Sequence, residues 1–204
     1  LFQMDKAPDH VAVPLLGGEG PTIRMVSMRI NGKGPYRFDI DSAAADFLIV
    51  SPLLAEELGL EPTGSAQAIG VGSGSAPVRF TRLDRAELGG ITFRNIPVRV
   101  ADIATFRGLK KGLLGTGLLK RFNVTIDTRA GVMDLFALAR PELLAVRIDK
   151  AAIAVEVPLF LFDATMVTAS MAGAPEGLYI LDTAAATHLI DAPFFGEHVK
   201  PRLD

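Results

Sequence analysis

Residues 38–45 of this chain read Phe-Asp-Ile-Asp-Ser-Ala-Ala-Ala, and residues 179–186 read Tyr-Ile-Leu-Asp-Thr-Ala-Ala-Ala. The two stretches align without a gap at an offset of 141 positions, and the match continues on either side. Met25-Val26-Ser27 corresponds to Met166-Val167-Thr168, Ile30 to Met171, Gly32 to Gly173, Leu48-Ile49 to Leu189-Ile190 and Pro52 to Pro193. A supersecondary unit used twice constrains the fold more than composition does, because both copies have the same faces to bury. It also makes Asp41 and Asp182 equivalent. Each carboxylate leaves an apolar strand and enters a turn of small residues.

The first copy is punctuated as a β unit. Thr22 to Ile30 is rich in β-formers, Asn31-Gly32-Lys33-Gly34 is a hairpin turn, and Tyr36 to Asp41 is the returning strand. Phe47 to Val50 reads as a short buried strand. Ser51 then caps a helix with Pro52 at its first position and Gly59 as its stop. Strands at 66–71 and 77–83 flank the Gly/Ser-rich stretch Gly64–Ser75, and a long alternating strand follows at 91–100. Gly112 to Arg121 reads as a short helix before strands at 124–127 and 132–138. In the second copy, strands are expected at 154–158, 165–171, 178–182 and 188–191, with Ala192-Pro193 opening a helix. The expected organisation is an N-terminal extension over 1–21, a complete unit over 22–140, a linker over 141–153 and the first part of a repeated unit over 154–204.

With 204 residues, 49% of them hydrophobic and 22% charged, the composition is globular. A net charge of −2 gives no electrostatic case for nucleic acid or an anionic membrane. No apolar run approaches the roughly 20 residues of a spanning helix. The absence of cysteine removes a thiol nucleophile, a thiolate metal site and any disulfide. It fits the cytosol as well as a bacterial envelope compartment, with the envelope slightly favoured, and a start at Leu1 without a signal-like segment fits a trimmed or mature form. Gly70, Gly72 and Gly74 miss the dinucleotide fingerprint, and Leu118 stands where a phosphate loop needs Lys. His10, His188 and His198 have neither metal-ligand spacing nor a place in a triad with Ser42 or Thr183. No cofactor and no metal are expected.

Two carboxyl groups a few ångströms apart cannot both ionise, so one acts as base toward a water while the other holds a proton. The surrounding residues give this chemistry a family. Asp-Ser-Ala and Asp-Thr-Ala resemble the Asp-Thr/Ser-Gly motif of retropepsin-like and pepsin-like aspartic peptidases, and Ser-Pro-Leu-Leu-Ala-Glu-Glu-Leu-Gly-Leu resembles the helix of bacterial retropepsin-like proteins. Leu113-Leu114-Gly115 resembles the segment that packs behind the catalytic loop. Gly70, Val71, Gly72, Ser73, Gly74 and Ser75 stand where that family carries its flap over the substrate. The resemblance implies an all-β fold: a retropepsin/pepsin-like barrel lobe with two short helices, repeated, the second lobe incomplete. It implies a catalytic dyad of Asp41 and Asp182, supported by Ser42, Ala43, Thr183 and Ala184, with the two hydroxyls linking the halves. The expected substrate is a peptide or protein.

Two departures bear on activity. The motif's Gly is Ala43 in the first copy and Ala184 in the second, and Gly117 stands where many relatives have Asp. An added methyl either narrows the space between the loops or is tolerated if φ stays negative. Three readings therefore stand: an aspartic endopeptidase, a pseudoprotease that binds peptide without turnover, and a fragment that completes its second lobe as a homodimer or domain-swapped dimer.

Overall fold

The structure, a computed structural model, describes residues 1–5, 8–17, 24–69, 75–102, 109, 111–147, 153, 155–171 and 173–202. Its first half is organised by β3 (Met25–Ile30), β4 (Lys33–Asp41), β5 (Leu48–Val50), α1 (Pro52–Leu58), β6 (Gly64–Ile69), β7 (Ser75–Leu88), β8 (Ile91–Val100) and β9 (Lys111–Gly115). In the order β8-β5-β9-β4-β3-β7 these strands close, because β7 also pairs with β8. The result is a six-stranded barrel without a free edge around its circumference. β6 extends it beside β7, and β1 (Gln3–Met4) extends it beside β8.

Side chains alternate between the faces of a strand, and β4 shows the consequence. Phe38 and Ile40 point into the barrel with Val26, Met28, Leu48, Leu83, Phe93, Ile96 and Leu114, all buried. Asp39 and Asp41 therefore share the opposite face. The β3–β4 turn has Asn31 at φ 49° and Gly32 at φ 77°, the left-handed pair of a two-residue hairpin. The α1 signals act as expected: Ser51 Oγ accepts from Leu54 N at 3.1 Å, and Gly59 ends the helix at φ 67°.

A second sheet joins β10 (Phe122–Asp127), β11 (Val132–Ala137) and β2 (His10–Pro14). It places Met133, Leu135, Val11 and Val13 against the barrel core. Strands β1 and β2 thus come from the stretch read as an N-terminal extension, and α3 (Pro141–Arg147) lies in the stretch read as a linker. Other expectations are corrected. Gly112–Arg121 is a strand, β9, followed by only one turn of helix, α2 (Thr116–Leu119). The described residues of 154–158 and of 188–191 are not strands. The first strand of the second copy is instead β12 (Phe160–Leu161).

β12, β13 (Thr165–Ala169) and β14 (Gly177–Ile180) form a third sheet, and α4 (Ala192–Phe194) follows. β3 pairs with β4 as Met25↔Asp39, Val26↔Phe38 and Ser27↔Arg37. β13 pairs with β14 as Met166↔Ile180, Val167↔Tyr179 and Thr168↔Leu178, every pair displaced by the same offset as the sequence match. Even the bond closing the strand is repeated: Ile40 N donates to Arg24 O at 2.8 Å, and Leu181 N donates to Thr165 O at 2.9 Å.

Candidate active site

Asp41 ends β4, paired in parallel register with Gly115 of β9. The loop after it is tied down by the turn into α2. Thr116 N and Thr116 Oγ1 both donate to Ala44 O at 2.8 Å, Gly115 N donates to Phe47 O at 3.2 Å, and Gly117 N donates to Asp46 O at 3.0 Å. This approach needs glycine. A Cβ on Gly115 would lie 2.3 Å from Asp46 O, and one on Gly117 would lie 2.7 Å from Asp46 C and Phe47 N. Of the neighbouring leucines, Leu114 fills the barrel interior, while Leu113 turns to the other face with Ile49, Val78 and Ala101.

Within the loop, Asp41 Oδ1 accepts from Ala43 N at 2.9 Å and Ala44 N at 3.0 Å. Asp182 Oδ1 accepts from Ala184 N at 2.8 Å in the second loop. Among the described residues, the non-glycines at positive φ are Asn31 and Asn95. Ala43 and Ala184 therefore hold conformations open to any L-residue, with their amides still directed at the carboxylates.

The two loops are cross-linked by their hydroxyl residues. Ser42 N donates to Thr183 Oγ1 at 3.1 Å and Thr183 N donates to Ser42 Oγ at 3.0 Å. Each hydroxyl then donates onward to the partner loop's strand: Thr183 Oγ1 to Ile40 O at 2.6 Å, and Ser42 Oγ to Leu181 O. A further bond, Thr165 N to Ser42 O at 2.8 Å, anchors β13 to the same loop. Asp41 is buried and Asp182 is exposed. Burial pushes the Asp41 carboxyl above its ordinary value, and the Asp182 charge pushes the same way, against the amides of Ala43 and Ala44.

The structure thus brings together Asp41, Ser42, Ala43, Leu113, Gly115, Asp182, Thr183 and Ala184, with Leu114 behind them in the core. Of the expected flap, Gly70, Val71, Gly72, Ser73 and Gly74 lie outside the described residues. Ser75 begins β7 opposite Ile69, closing the six-pair β6–β7 ladder. Sequence reasoning missed Thr116, which holds the Asp41 loop by two bonds. It also missed two ion pairs near that loop: Lys111 Nζ with Asp39 Oδ2 at 2.8 Å, and Arg99 with Asp46 Oδ2 at 2.7 Å. The alternation of β4 offered a signal for Asp39, since an apolar strand that carries two charges on one face has to pair the buried one.

Residues 26–118, from β3 into α2, match the family model described as aspartyl protease. The matched span holds the barrel strands β3, β4, β5, β7, β8 and β9. One similar solved structure is described as a retropepsin-like aspartic protease from Rickettsia conorii. It is 19% identical, with a TM-score of 0.46, over 66% of this chain and 92% of that one. No curated protein matches the chain. No helix among the described residues is long and apolar enough to cross a membrane.

Proposed function

We propose that the chain is an aspartic endopeptidase in which Asp41 and Asp182 share one proton. The observation that carries this reading is the reciprocal Ser42–Thr183 bonding, which ties two equivalent Asp loops face to face. One carboxylate takes a proton from water as the oxygen bonds to the scissile carbonyl carbon, and the protonated carboxyl hydrogen-bonds to the carbonyl oxygen. The tetrahedral adduct then collapses. The C–N bond breaks, its electron pair stays on nitrogen, and that nitrogen is protonated by the dyad. The titration belongs to the pair rather than to either residue. Substrate lies extended beneath the β6–β7 hairpin, its main chain hydrogen-bonded and its alternate side chains in pockets, one of them floored by Leu113.

A peptide-library assay between about pH 3 and 7 tests this. Cleavage is expected in the parent and absent in Asp41→Asn and Asp182→Asn. Turnover that persists in both variants excludes the dyad. One observation favours the pseudoprotease instead: Asp182 is exposed while Asp41 is buried, so the two carboxylates are unequally desolvated. Peptide binding by the parent without cleavage would establish that alternative. The repeated hairpin is read as the first part of a second lobe, and a second copy of the chain, in a homodimer or by domain swapping, as what covers it.

A further inference from the structure

Asp39 stands two residues before Asp41, so the two carboxylates occupy the same face of β4. The Asp39 side chain is almost fully enclosed and that of Lys111 nearly so, with Nζ and Oδ2 2.8 Å apart. In the parallel β4–β9 ladder Asp39 lies opposite Leu113 and Asp41 opposite Gly115, which puts the ion pair one strand step from Asp41. A barrel wall gains little stability from such a pair, because desolvation offsets the attraction. Its position gives it another effect.

The charges around Asp41 come from its own strand and loop, from β8 and β9, and from the loop after β14. β4 contributes Asp39 and the exposed Arg37, β9 contributes Lys111, and the loop after β14 contributes Asp182. Asp46 lies in Asp41's own loop and is paired with Arg99 of β8. β3 sets Met25 opposite Asp39 and Ser27 opposite Arg37, neither of them charged. Two of the three other carboxylates therefore carry a cation in contact, and the third is Asp182.

We infer that Lys111 and Asp39 form a positioning pair for Asp41, in which the lysine cancels the neighbouring carboxylate and leaves Asp182 as the main charge that Asp41 senses. The Asp39 charge acts to raise Asp41, more weakly than Asp182 does, and removing the Lys111 cation 2.8 Å from it would strengthen that action. The catalytic consequence rests on the dyad reading above. The electrostatic one does not.

The test is a ¹³C NMR titration of the Asp41 carboxyl in the full chain, its resonance identified by loss in Asp41→Asn. Lys111→Met is expected to move the Asp41 titration upward by about half a pH unit or more, and Asp39→Asn to move it downward. The double variant Asp39→Asn/Lys111→Met is expected to return near the parent. If Lys111→Met does not fold, Asp39→Asn carries the test, because it leaves no buried carboxylate unpaired. An Asp41 titration unmoved in a folded single variant overturns the inference. The acid limb of kcat/KM is expected to follow the same shifts, which a purely structural role would not produce. Shifted titration without any cleavage upholds the pair and removes the peptidase reading. Cleavage with unmoved titration does the reverse.

Discussion

Asp41 is a carboxyl raised above its ordinary value of 3.8, chiefly by burial. For an acid, that sign means the ionised form weakens the folded state. The penalty is absent below the ordinary value, where Asp41 is protonated folded or unfolded, and it is complete above the raised folded value. Asp41→Asn keeps an oxygen that can accept from Ala43 N and Ala44 N while removing the charge. It is expected to melt above the parent at pH 7 and level with it near pH 3, by roughly 2–4 °C per kcal/mol relieved in a chain of this size. Melting below the parent at pH 7 would contradict this account. Ser42 is the opposite case, since its hydroxyl serves two backbone groups of the other loop. Ser42→Ala leaves Leu181 O and Thr183 N without that partner and is expected to cost about 1–3 kcal/mol in denaturant unfolding. Cleavage should fall by a larger factor than stability alone explains, because the variant frees the loops that hold the carboxylates.

The turn from β9 into α2 is the element on which the Asp41 loop rests, and its glycines are spatial rather than conformational. Gly117→Ala is expected to destabilise by about 1–3 kcal/mol, measured by denaturant unfolding, because the added carbon would meet the backbone of Asp46 and Phe47. The same crowding leaves no room here for a longer side chain such as Asp. This element was also the one least legible in sequence. Gly-Leu-Leu-Gly-Thr-Gly-Leu-Leu is a run without alternation, because β9 is enclosed on both faces: Leu114 enters the barrel core and Leu113 the satellite cluster. Such a run reads equally well as buried strand or helix. Where alternation or capping chemistry was local, as in β4, β8 and α1, the reading matched the structure. The Asp loops were visible because the repeat marked them twice. The Lys111–Asp39 pair was not, since 72 residues separate partners that only the parallel β4–β9 register brings together.

At the scale of the whole molecule, the two hairpins share one register but not one environment. Ile40 and Leu48 are 0% exposed in the barrel, whereas their counterparts Leu181 and Leu189 are 46% and 71% exposed. On β14, Leu178 and Ile180 share a face and are 57% and 50% exposed. The difference lies in cover: the barrel hairpin is closed over by β5, β7, β8 and β9, which the third sheet lacks among the described residues. Val155 and Val157, in the stretch expected to open the second copy as a strand, also lie exposed. Apolar surface left uncovered in this way drives association. The chain is expected to show a mass that rises with concentration in sedimentation equilibrium, and the double substitution Leu178→Lys/Leu189→Lys is expected to hold it monomeric. A parent mass that stays monomeric at all concentrations would contradict this. Asp182 lies beside the same uncovered residues, so cover should also exclude water from the second carboxylate and strengthen its coupling to Asp41. Specific peptidase activity is therefore expected to rise with protein concentration along the association curve. In the lysine variant it should stay low and independent of concentration, although the Ser42–Thr183 bonds within the chain remain intact.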